Sequence, residues 1–182
     1  MENFPLIIIV KFQKEYEVKK YKICFLVIVL FTVGCVPFIK PIQRVQFSPL
    51  EYEKLETEGT GIVRGQAFMK TRGGDVKLAA GNKIILNPVT SCSNQWYQLS
   101  YLQNKPLTKP DPRYVNFSIE TIADADGKFE FTSVPPGEYY LVAPVFWEAA
   151  TGYQGALRRQ GGYLAKKIKV KNNKEYKYIL TR

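Results

Sequence analysis

The chain has 182 residues, 46% apolar and 23% charged, enough for one ordinary domain with appendages, and its formal net charge is +10. It contains no histidine, which removes His-based acid/base catalysis, Ser-His and Cys-His nucleophiles and the usual His-containing zinc sites. Its three cysteines, Cys24, Cys35 and Cys92, are too few and too scattered for a disulfide scaffold or a four-cysteine metal site.

Lys19, Lys20 and Lys22 precede an almost wholly apolar run from Ile23 to Val33, closed by Gly34 and Cys35. A charged head, an apolar stretch and a small residue before the cut make a secretory signal peptide. The run is short against the roughly 20 apolar residues a spanning helix needs. A non-lipidated anchor and a buried core strand are the alternatives; the lysine cluster and the terminal position argue against the strand. "FTVGC" (31–35) resembles a bacterial lipobox, with Val33 and Gly34 fitting and Thr32 standing where Leu is usual. The resemblance implies that Cys35 becomes the lipid-modified N-terminus and that residues 1–34, Cys24 included, leave. Val36 stands where Asp would favour the inner membrane, so the resemblance implies the outer membrane, facing the periplasm or the cell surface. Translation is expected to begin at Val18, because the sequence from there has the shape of a complete signal peptide. From Cys35 onward 21 basic and 13 acidic side chains leave a charge of +8.

Residues 35–59 read as a tether with one short helix. Pro37 and Pro41 interrupt the first part, which has no clear period. Ser48 can be an N-cap, Pro49 fits the first helical position and Glu51 can complete a capping box, with Gly59 or Gly61 as the stop. An ordinary irregular spacer is the alternative.

From Gly61 the texture becomes that of strands. "IVRGQAF" (62–68) places Val63 and Phe68 toward a core across an irregularity at Gly65. A loop over 71–82 turns at Gly73-Gly74. "KIILNPV" (83–89) is a second strand, ended by Pro88. "SNQWYQLSYLQNK" (93–105) carries Trp96, Leu99 and Leu102 at helical spacing, with Ser93 or Asn94 as caps. After a proline-rich loop, "YVNFSIET" (114–121) alternates Val115, Phe117 and Ile119 with polar residues, the pattern of a half-buried strand. "DADGK" (124–128) is a turn, Phe129 and Phe131 share a face, and "VPPGE" (134–138) is a second turn in which Gly137 takes positive φ. "YYLVAPVF" (139–146) fits a central strand covered on both sides. Ile168 and Val170, then Tyr176, Tyr178 and Leu180, each oppose lysines. Seven short strands joined by Gly/Pro turns predict a mainly β, antiparallel sandwich with one or two short helices.

"TIADADGKFEFTSVPPGEYYLVA" (121–143) resembles the carboxypeptidase regulatory-like domain, a transthyretin-like (prealbumin-like) β-sandwich. The features are Asp124, Asp126 and Gly127, then Phe129 and Phe131, then Pro135, Pro136, Gly137 and Tyr139. The resemblance covers residues 60–182 and implies a seven-stranded fold. It is nearly silent on function, because such domains are mostly accessory modules. Its enzymatic relatives, zinc carboxypeptidases and hydroxyisourate hydrolases, use histidines that this chain lacks.

No catalytic residue, metal or cofactor emerges. Asp124 and Asp126 suit a turn better than a calcium loop, which needs six to eight oxygens. Cys92 has no histidine to activate it and reads as an inert thiol. Tyr97, Tyr101, Trp147 and Tyr153 could form a glycan-stacking platform, with Trp96 in the core. The stretch 146–163 reads as a long loop carrying Trp147, Tyr153, Arg158 and Arg159 as candidate ligand contacts, or as ordinary packing. Lys166, Lys167, Lys169, Lys171, Lys174 and Lys177 blunt a strand edge or attract anionic headgroups or glycans. Two functions are expected. The first is a membrane-anchored envelope lipoprotein whose non-enzymatic sandwich is structural or binds an envelope protein. The alternative is a carbohydrate- or peptidoglycan-binding lipoprotein using the aromatic residues of 146–163. Nucleic acid is not an expected partner of an exported protein.

Overall fold

Alternation of apolar and polar side chains is the rule through most of the chain, and it builds eight strands among the described residues. The computed structural model describes residues 40–150 and 155–182. The signal segment, the lipobox residues Thr32, Val33 and Gly34, Cys35 and Tyr153 lie outside them.

In chain order the elements are α1 (Pro49–Tyr52), β1 (Gly61–Lys70), β2 (Val76–Leu78), β3 (Lys83–Pro88), α2 (Ser91–Gln95), a π-helix (Trp96–Leu102) and a 3-10 turn (Pro112–Phe117). There follow β4 (Ile119–Ile122), β5 (Lys128–Val134), β6 (Gly137–Ala150), β7 (Leu157–Val170) and β8 (Glu175–Leu180). One sheet has the order β4-β3-β6-β7, all antiparallel. In the other, β1 pairs antiparallel with β5 and β2 and parallel with β8. Ala67 N–H donates to Gly127 O, and Ala67 O accepts from Ala79 N–H, each at 2.9 Å. Both groups of one strand residue point to the same side. β2 therefore continues the edge that β5 occupies, and β8 holds the opposite edge.

The predicted mainly β sandwich is the observed fold, with β2 as an eighth strand and β1–β8 as its parallel pair. Val63, Ala67 and Met69 of β1, Phe129 and Phe131 of β5 and Leu180 of β8 meet Ile84 and Leu86 of β3, Tyr139, Leu141, Ala143 and Val145 of β6, and Leu164, Ile168 and Val170 of β7. β6 is buried on both faces from Tyr139 to Ala143, as a central strand should be. Tyr139 buries its ring and donates its hydroxyl to Pro135 O at 2.9 Å.

Several local expectations give way to nearby chemistry. Alternation continues unbroken through Gly65, so Phe68 turns away from the core face and Met69 takes it; the register shift lies between Gly61 and Val63. Ser48 sits at the N-cap of α1 without a side-chain bond, because Glu51 reaches Ser91 instead. The helix predicted over 93–105 begins at Ser91. Thr90 is its cap, forming a capping box with Ser93, and it passes into π geometry at Trp96, leaving Leu102 exposed. Residues 112–117 are a 3-10 turn and not a strand: Pro112 fixes its entry and Asp111 caps it, accepting from Arg113 N–H at 3.0 Å. Val115 and Phe117 are exposed as a result. Gly127 takes φ +72° as the Asp-Gly turn requires, but Ser133 (φ +57°) carries the positive φ of the next turn, and Gly137 opens β6.

Candidate functional site

The outer face of the β4-β3-β6-β7 sheet is where function-bearing side chains collect. Alternation that sends Ile84 and Leu86 into the core sends Ile85 and Asn87 outward, and the register sets Glu120 of β4 opposite Ile85 and Val142 of β6 on its other side. Val142 pairs with Ala165 of β7, two residues beyond Tyr163 on the same face. These residues floor a cleft of about 300 Å³.

Its walls come from segments that carry few regular hydrogen bonds of their own. The segment expected to be a tether is docked from Ile42 onward. Ile42 bridges to Leu107, Arg44 N–H donates to Thr108 Oγ1 at 3.0 Å, and Val45 N–H donates to Gln95 Oε1 at 2.9 Å. Glu51 then clamps α2 to α1 by accepting from Ser91 N–H and Ser91 Oγ, both at 2.7 Å. A carboxylate at a helix N-terminus is favoured by the exposed N–H groups there. Beneath it, Tyr52 Oη shares a hydrogen bond of 3.0 Å with Thr90 Oγ1, and Ser93 Oγ donates to Pro88 O at 2.7 Å. Burial raises the Tyr52 hydroxyl above its ordinary pKa, against the lowering effect of its bond to Thr90. Phe47, Tyr52 and Phe117 stack beside this network.

Rings run continuously from the sheet to its cover. Tyr140 stacks on Tyr97 at 4.4 Å, Tyr97 on Tyr101 at 5.3 Å, and Tyr101 on Trp96 at 5.9 Å. Trp96 meets Tyr163 edge-on at 6.3 Å, Tyr163 meets Phe146 edge-on at 5.5 Å, and the Arg159 guanidinium lies 3.8 Å from the Phe146 centroid. Two hydroxyls fasten the ladder: Tyr101 Oη accepts from Ala165 N–H at 3.1 Å, and Tyr140 Oη donates to Asn94 Oδ1. Trp96 and Tyr163 line the cleft together with Tyr114, Asn87, Glu120 and Arg44. Tyr163 is 49% exposed, so its ring is open to a ligand.

Arg44 and Glu120 are the charged residues of the lining. Glu120 is paired with Lys83 at 2.7 Å. Outside the lining, Arg113 pairs with Asp111 through two side-chain bonds of 3.0 and 2.7 Å, and these, with the Arg113 N–H bond, hold the Asp111 carboxyl down at about 2.

The predicted contacts do not form one site. Residues 146–163 are not a loop, because β6 continues to Ala150 and β7 begins at Leu157, making two paired arms of a hairpin. Trp147 lies opposite Gln160 and packs against the sandwich core, lining a broad groove with Lys70, Arg72, Lys77 and Arg182. Arg158 lies opposite Ala149, on the same face as Trp147, whereas Arg159 lies on the opposite face, over Phe146. Tyr97 and Tyr101 are therefore separated from Trp147 by the thickness of the sheet. Trp96, expected in the core, stands outside it over the sheet. Cys92 is buried with its sulfur 3.8 Å from Val45 O, consistent with an inert thiol. Asp124 Oδ1 accepts from Asp126 N–H and Lys128 N–H, at 2.9 and 2.8 Å, and so serves the turn. Lys167 pairs with Glu138, and Lys166 lies over the Tyr178 ring.

Sequence reasoning missed Arg44, Asn87 and Tyr114, and it held Tyr163 only as one of the aromatic residues of 146–163. The outward phase of "KIILNP" pointed to Asn87, and the phase of β7 pointed to Tyr163. No local signal marked Arg44, which sits in an aperiodic stretch.

No protein-family model matches the sequence, nor does any curated protein. Among solved structures, the crystal structure of a proposed carbohydrate-binding protein from Pseudomonas aeruginosa is similar, with a TM-score of 0.65 and 24% sequence identity. The match covers 76% of this chain and 99% of that one. The likeness is one of fold.

Proposed function

We propose that this chain is a carbohydrate-binding β-sandwich of the bacterial envelope, exported by residues 1–34, held to the membrane by lipid on Cys35, and without catalytic activity of its own. The observation that carries the binding function is the cleft on the outer sheet face, where the rings of Trp96, Tyr163 and Tyr114 stand beside Asn87, Glu120 and Arg44. A sugar ring has an apolar C–H face and a rim of hydroxyls. It needs a flat aromatic surface for the first and mixed donors and acceptors for the second, and the cleft offers both. Its volume is at the small end of the range for small-molecule sites, about 300–1,000 Å³, which suits a terminal sugar unit better than a long chain segment. The description of the similar Pseudomonas structure supports the same reading. The resemblance to carboxypeptidase regulatory-like domains agrees with a binding module, and the lack of histidine favours a non-enzymatic one.

Binding of an oligosaccharide panel to the domain from Lys40 onward, and to variants of it, tests this. Tyr163→Ala and Trp96→Ala should each weaken binding about 3- to 10-fold through loss of a stacking ring. Trp147→Ala should leave affinity unchanged, because that ring lies on the far side of the sheet. Binding that survives Tyr163→Ala and disappears with Trp147→Ala would move the site to the groove beside β6. Absence of binding to any saccharide would remove the proposal.

A further inference from the structure

We infer that the cleft selects saccharides bearing a carboxylate, such as uronic or sialic acid units, and that Arg44 is the residue that reads the acid. The inference rests on the carbohydrate reading above and goes beyond it by naming the ligand class.

Two arginines stand at this end of the sheet, and their situations differ. Arg113 has its fork on Asp111 and its face over Phe47, 4.5 Å from the ring centroid. Arg44 is anchored by its backbone N–H to Thr108 Oγ1 and by its Nε to Thr108 O at 2.7 Å. Among the described residues no hydrogen bond or ion pair engages its two terminal nitrogens. The anchoring fixes the guanidinium, since Nε is held and the neighbouring backbone is pinned at Ile42 and Val45. What remains is a preorganised pair of charged donors facing a cleft, the arrangement that binds carboxylate side-on.

The charge balance of the lining points the same way. Glu120 is neutralised by Lys83, so Arg44 is the one unpaired charge among the lining residues. A half-buried guanidinium beside aromatic rings is screened less than a surface lysine. One cation suits a monoanion such as a carboxylate, whereas a doubly charged phosphate would call for more. Tyr114 lines the cleft as well. Burial raises its hydroxyl pKa while the charge of Arg44 pulls it down, so it stays a neutral phenol able to donate beside the guanidinium. The basic surplus of the whole chain would draw such a ligand in.

The test compares acidic oligosaccharides, uronate- and sialate-containing, with their carboxyl-reduced twins, which keep the ring and lose the charge. The wild-type domain should bind the acidic form at least ~10-fold more tightly than the twin, the usual worth of a charge-assisted fork. The preference should shrink with added salt. Arg44→Gln should bring the acid down to the affinity of the twin without changing the twin, and Arg113→Gln should keep the preference. Acetate and inorganic phosphate at matched concentration should not displace the acid, which separates sugar recognition from simple anion binding. Equal affinity for acid and twin in the wild type overturns the inference and leaves the carbohydrate reading standing. So does a preference that follows Arg113 in place of Arg44, or one for sugar phosphates. Absence of binding by either form overturns the inference, and overturns the carbohydrate reading with it where the wider oligosaccharide panel is unbound as well.

Discussion

Gly65 and Phe129 face each other across β1 and β5 and share one volume. A Cβ added at Gly65 would lie 2.2 Å from Tyr178 O and 2.6 Å from the Phe129 ring, so the Phe-x-Phe strand packs into the core only because position 65 has no side chain. Sequence reading saw this glycine as an irregularity in the strand. The strand is regular there, and the glycine is required by the ring across from it. Gly65→Ala should therefore destabilise the domain by about 2–3 kcal/mol through overpacking. Calorimetry should register a fall of roughly 5–10 °C in Tm. Gly73→Ala is the control: its Cβ would meet only Thr71 Oγ1, at 3.7 Å, and the melting point should barely move.

Among elements, the strands kept the positions their alternation announced, and the cover over the outer sheet face did not. Trp96, Leu99 and Leu102 have helical spacing, but i→i+5 bonding in the π-helix turns them off a common face, so Leu102 ends exposed while Trp96 reaches the cleft. Val115 and Phe117 alternate like strand residues, yet Pro112 and the Asp111 cap commit them to a 3-10 turn. The cover is held by specific hydrogen bonds more than by periodic packing, and Thr90 is its keystone. Its side chain caps α2 and also meets the buried Tyr52 hydroxyl. Thr90→Ala should cost about 1–2 kcal/mol in urea unfolding, the upper range for a lost cap. It should also weaken saccharide binding, because Trp96 immediately follows α2. Unchanged stability would mean that Glu51 alone positions the helix.

At the scale of the whole molecule, the proposed export and anchoring would rest on the segment before Lys40, and the proposed binding site on the unit that follows. Lipid on Cys35 would contribute about 0.8 kcal/mol per buried methylene, so two or three acyl chains hold without a spanning helix. Labelling cells with radioactive palmitate should mark the wild-type protein and not Cys35→Ala, and the variant should leave the membrane fraction. An unlabelled wild type, or a variant still firmly bound to membranes, contradicts the lipid anchor.

By itself the sequence determined that this is a β-sandwich, that Val63, Phe129, Phe131, Ile168, Val170 and Leu180 fill it, and that the chain turns at 124–128, because a two-residue period and Asp-Gly chemistry act over a few neighbouring positions. The buried ring of Tyr139 was legible for the same reason, whereas its bond to Pro135 O, four residues away, came from the structure. Only the tertiary structure decided the site. Arg44, Asn87, Trp96, Tyr114 and Tyr163 meet through strand register and through a docked segment without periodicity; strand phase marks the outward face of Asn87 and Tyr163, but nothing local marks Arg44 or says which residues meet. The tertiary structure also separated Trp147 from Tyr97 and Tyr101, since a hairpin arm sends adjacent residues to opposite faces of a sheet.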